Sequence, residues 1–131
     1  MSRDAAALIA FLESREDWRF GYEKTPSTHD CARAMSDGIK AQTGKAPLDR
    51  FASEWSTRRG ALRVIRRYGG LAAAVDTVMT RVDLPAAQRG DAGLTRDGAL
   101  VLIEGETLVG PAEIGWRRLP REELAIAWSA E

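Results

Sequence analysis

At 131 residues, with 44% of them apolar and 29% charged, the chain is long enough to bury a real core and has the balance of one soluble globular domain over residues 1–131. No apolar run approaches the roughly 20 residues of a membrane span, the N-terminus lacks a signal-peptide pattern, and a single cysteine excludes both an internal disulfide and zinc-finger spacing. Net charge is zero but uneven: residues 1–70 hold 13 Lys and Arg against 9 Asp and Glu, whereas residues 71–131 hold 6 against 10, an asymmetry suited to orienting a protein partner and too small to argue for nucleic acid.

In chain order, Ser2 is placed to cap a first helix with Ala5, Leu8, Ile9 and Leu12 on its apolar side and Phe11 beside them. After the polar run 13–17, the aromatics Trp18, Phe20 and Tyr22 recur at period two, the pattern of an extended segment laid over the core, or of a ligand-binding strip. Thr25-Pro26-Ser27 turns the chain into the stretch that holds its only histidine and its only cysteine. Ser27 or Thr28 can cap a helix starting near Asp30, and Cys31, Ala34, Met35, Gly38 and Ile39 then share one apolar face up to a stop at Gly44. A thiol in a first turn meets unpaired backbone N–H groups, which favour the thiolate and prepare a nucleophile. The alternative is a small, packed core residue, since free cysteine is commonly buried. His29, two residues earlier, is either a base for that thiol or a surface residue beside the cap.

Asp49 to Trp55 reads as a short turn of helix. In the segment 58–67, Leu62 and Ile65 are expected to face inward, with Arg59, Arg63, Arg66 and Arg67 forming a cationic stripe on the opposite side. With no interleaved aromatics, that stripe is read as a solvated face or a protein contact, and nucleic acid is set aside. Gly69-Gly70 breaks the chain, and Leu71, Ala74, Val75, Val78, Met79 and Val82 predict a further helix ended by Asp83-Leu84-Pro85. Beyond Pro85 the texture becomes β: strands are expected over 92–95, 99–103, 107–109 and 114–119, with turns at Arg96-Asp97-Gly98 and Glu104-Gly105-Glu106. Residues 121–128 read as a short helix or a closing strand. Helices over about 1–83 followed by an antiparallel sheet over about 89–131 make an α+β fold.

The order of these parts resembles the NlpC-type branch of the papain-like cysteine peptidase superfamily, and more narrowly the small tail-tip proteins of siphophages and gene transfer agents. The residues that carry the resemblance are Trp18-x-Phe20-Gly21 ahead of Asp30-Cys31, Thr57-Arg58-Arg59-Gly60-Ala61-Leu62, Gly69-Gly70-Leu71, Gln88-Arg89-Gly90-Asp91, Gly110-Pro111 and Ala127-Trp128. The resemblance implies a papain-like fold, and Cys31 as a nucleophile on peptidoglycan paired with a histidine from the second strand. That position falls around Gly98-Ala99-Leu100, and no histidine follows residue 29. Without a general base a thiol loses its activation and the leaving amine its proton donor.

The resulting expectation is a structural or assembly component of a phage tail tip with a degenerate peptidase site. Its partners would be neighbouring tail and hub proteins, its location the virion after synthesis in the host cytoplasm, and the Arg59/Arg63/Arg66/Arg67 stripe a contact surface. The alternative is an active peptidase or amidase acting on peptidoglycan during DNA delivery, with Cys31 as nucleophile and His29 as its base. Neither reading calls for a metal or a cofactor.

Overall fold

The computed structural model describes residues 3–131, so the expected cap at Ser2 lies outside the described residues. Asp4 caps α1 (Ala5–Ser14), its carboxylate accepting from the N–H groups of Ala6 and Ala7. Leu8 and Leu12 are buried and Phe11 half-buried, whereas Ile9, expected inside, is 52% exposed. The aromatic segment forms β1 (Arg19–Phe20), which pairs in parallel with β2 (Thr28–His29). Asp30 then caps α2 (Cys31–Thr43) through its own carboxylate, in place of the expected Ser27 or Thr28, and makes Cys31 the first helical residue. Gly44 ends the helix in the left-handed region at φ 88°, a conformation that favours glycine.

The helical layer continues with α3 (Asp49–Ala52), α4 (Arg58–Arg67) and α5 (Leu71–Asp76). Two expectations fail here. In α4 the buried positions are Ala61 and Val64, while Leu62 is 39% exposed, so the helix is rotated from the phase expected of it. The helix expected from Leu71 to Val82 stops at Asp76, and Arg81–Val82 becomes a strand, β3. Threonines and valines crowd residues 77–82, and such β-branched side chains hold a helix weakly. The exposed edge of the last strand offers backbone partners instead, and Arg81 and Val82 pair with Trp128 and Ala127.

The rest of the chain builds an antiparallel sheet from β4 (Ala92–Thr95), β5 (Leu100–Ile103), β6 (Thr107–Pro111), β7 (Trp116–Pro120) and β8 (Leu124–Trp128). With β3 it has six strands in the order β3-β8-β4-β5-β6-β7, two more than the four expected before the last segment. That last segment resolves into a 3₁₀ turn, Arg121–Glu123, and the strand β8, which lies between β3 and β4. Both expected turns are present, with Gly98 and Gly105 at positive φ. The protein is thus α+β, with helices packed on an antiparallel sheet.

Strand alternation decides which residues meet the helices. Leu100 and Leu102 of the fully buried β5 join Met35, Ile39, Leu8 and Trp128 in the main core, while Val101 and Ile103 join a smaller cluster with Leu108 and Leu124. The approach of α2 to β5 is close at Gly38, where a Cβ would stand 2.4 Å from Leu102 Cδ1. That approach sets the first turn of α2 against the start of β5.

Candidate functional site

Position determines what Cys31 touches. It sits at the N-terminus of α2, half-buried, where the backbone of Leu100 hydrogen-bonds the sulfur. Burial, with a smaller contribution from the Asp30 carboxylate, outweighs that bond and pushes the thiol above its ordinary pKa. The start of β5 beside it is the place where the resemblance would put a histidine, and the chain there reads Gly98-Ala99-Leu100.

Two grooves meet at Cys31 and Gly98. One, of about 300 Å³, runs between α2, α3, α4 and α5 and is mainly apolar, with Phe51, Trp55, Leu62 and Ile65 in its walls and Tyr22 and Arg58 among its polar residues. The other, of about 570 Å³, opens over β5 and β6 and carries Phe20, Asp97, Glu113 and Arg117. Burial raises the pKa of the Tyr22 hydroxyl, and the nearby Arg58 guanidinium offsets this in part. Phe20 is 41% exposed at the second groove, so the aromatic segment is not simply a cover for the core.

His29 is not a surface residue; it is 1% exposed. Its ring lies between Trp18 and Trp116, at centroid distances of 5.2 and 5.0 Å. Arg15 Nη1 approaches Nδ1 at 3.2 Å, and because a guanidinium only donates, Nδ1 must accept and the imidazole proton sits on Nε2. Nε2 is buried and has no hydrogen-bond partner among the described residues. Desolvation first, and the positive Arg15 second, lower the pKa to about 4. Arg15 itself pairs with Asp37 at 3.0 Å and lies over the Trp18 ring at 3.7 Å. The imidazole thus meets Arg15 and two tryptophans, and among the described residues no hydrogen bond joins it to the Cys31 thiol.

The sequence reading missed the importance of Asp30, which is 2% exposed. One carboxylate oxygen accepts from the Arg33 N–H at 2.9 Å. The other accepts from Trp55 Nε1 at 2.8 Å and from Arg33 Nη1 at 3.2 Å. Arg33 also donates to the carbonyls of Tyr22 and Trp55 and lies over the Trp55 ring. The signal was present in Asp30-x-x-Arg33 at a helix start, where an i, i+3 pair is in reach; the partner Trp55 left no local trace. Asp91 behaves similarly. It leads into β4 as expected, and it is also buried, accepting from the N–H groups of Gln88 and Ala130 and pairing with Arg3 at 2.6 Å.

Arg59, Arg63, Arg66 and Arg67 are all exposed along α4, as the stripe required. Arg67 pairs with Glu54 at 2.8 Å, and the other three meet no carboxylate among the described residues. Among those residues no group of three or more His, Cys, Asp or Glu is placed to hold a metal ion, and no helix is long and apolar enough to cross a membrane.

Residues 2–130 match the model of a domain of unknown function, DUF6950, and the chain belongs to that family. No curated protein and no solved structure matches the chain.

Proposed function

We propose that this DUF6950 domain is a non-hydrolytic assembly component of a phage tail tip, built on a papain-like, NlpC-type scaffold with a silent peptidase site. The observation that carries the reading is that Cys31 stands at a helix start against β5 with a raised pKa and, among the described residues, no hydrogen bond to an imidazole. A cysteine nucleophile needs both a thiolate and a proton donor for the leaving amine. Burial opposes the first, and the tryptophan-enclosed His29 does not supply the second. The tail-tip setting is supported by the order of motifs that resembles small siphophage tail proteins, and the unpaired arginines of α4 suit contact with neighbouring tail or hub proteins.

The test is the alkylation rate of Cys31 against pH, which reports on one residue because the chain has one cysteine. The expected profile is slow at neutral pH, with an apparent pKa above the ordinary thiol value of about 8.5. No digestion of peptidoglycan should accompany it. Rapid alkylation with a depressed pKa, together with digestion that Cys31→Ala abolishes, would overturn the reading. Peptidoglycan hydrolysis is the second reading, favoured by the N-terminal position of Cys31 on α2 and by the two grooves that meet there. It needs a base supplied by another chain.

A further inference from the structure

The apolar groove and the cationic stripe are neighbours on the same helix. Groove-lining Arg58, Ala61, Leu62 and Ile65 fall at i, i+3, i+4 and i+7 of α4. Arg59 and Arg66 stand three residues before and four after Leu62, so Leu62 lies at the border between groove and stripe. Leu62 is among the most exposed large apolar side chains, at 39%, and the groove beside it holds about 300 Å³. Arg59, Arg63 and Arg66 have no carboxylate partner among the described residues, although Arg67 on the same helix has one. An open apolar slot bordered by unneutralised arginines has a definite complement, namely an apolar anchor flanked by carboxylates.

We propose that α4 and its groove are a docking site for an acidic amphipathic segment of a partner protein. The segment seats an apolar side chain against Leu62 and Ile65 and lays its carboxylates along Arg59, Arg63 and Arg66. This rests on reading the domain as an assembly component, and it adds the partner's chemistry and the face that receives it. A protein segment fits better than single-stranded nucleic acid, because bases need a row of exposed rings to stack on, and of the groove's aromatics Phe51 and Trp55 are buried and Tyr22 is half-buried.

Cys31 lines the same groove and reports on its occupancy. The experiment titrates the protein with a fluorescent synthetic helix carrying leucines at i, i+4 and i+7 among glutamates, beside a scrambled peptide of the same composition and a single-stranded oligonucleotide. The patterned peptide is expected to bind at least about tenfold more tightly than the scrambled one, and to slow Cys31 alkylation. Leu62→Asp, and separately the combined Arg59→Glu, Arg63→Glu and Arg66→Glu variant, should each weaken it about tenfold or more with unchanged melting temperatures. Equal binding of the two peptides, unaltered alkylation at saturation, indifference to both variants, or tighter binding of the oligonucleotide would each overturn the proposal. None of these outcomes touches the silent-thiol reading, which falls only if Cys31-dependent peptidoglycan digestion is found.

Discussion

His29 and Asp30 are adjacent in the chain and almost equally buried, at 1% and 2% exposure, but their surroundings are opposite in kind. The Asp30 carboxylate accepts three hydrogen bonds from Arg33 and Trp55 and anchors the start of α2. The His29 imidazole takes one bond from Arg15 and faces tryptophan rings otherwise, with its Nε2–H unanswered. A buried charge is tolerated only when its partners are complete, whereas a buried imidazole can shed its charge and remain. Cys31 follows them directly, its thiol pushed above the ordinary pKa chiefly by burial.

The largest break in this comparison comes from Asp30→Ala. It removes the α2 cap and takes the Asp30 carboxylate from the half-buried Arg33 and from Trp55 Nε1, so a loss of about 3–5 kcal/mol is expected in chemical denaturation. Asp30→Asn keeps the cap acceptor and should lose less. The His29 side breaks with pH instead. Its folded pKa of about 4 lies below the ordinary 6.5, so between those values the unfolded chain binds a proton that the folded chain refuses. Stability is therefore whole above about pH 6.5 and falls as pH drops toward 4, by on the order of 3 kcal/mol. Denaturation midpoints at several pH values should show this slope, and His29→Gln should flatten it. The smallest effect sharpens the seating of α2 itself. Gly38→Ala would press a methyl group into Leu102 and should cost about 1–3 kcal/mol, measured by thermal melting, with its consequence for Cys31 read as a changed alkylation rate.

Much of the local structure was legible in the residues. The Gly44 stop, the Gly69-Gly70 break and the turns at Gly98 and Gly105 follow from short-range chemistry that needs no partner. The apolar face Ala34, Met35, Gly38 and Ile39 was likewise visible as a period and is buried as such. What escaped were contacts made by distant residues. The spacing of Val82 fits a helix, and only the open edge of β8, reached 45 positions later at Ala127, makes it a strand. The local sequence around His29 favours a surface residue beside the cap over a base for the thiol, and only Trp116, far along the sequence, encloses it.

By itself the sequence determined the α+β order of elements, the place of Cys31 in the first turn of α2 and the arginine stripe of α4, since each depends on neighbours within a few residues. The tertiary structure decided the rest. It chose which face of α4 is buried, made Asp30 the cap and hub of its network, and enclosed His29 away from the thiol. Those outcomes depend on which side chains the sheet and the helices bring together across the chain, and burial rather than spacing shifts the pKa values of His29 and Cys31.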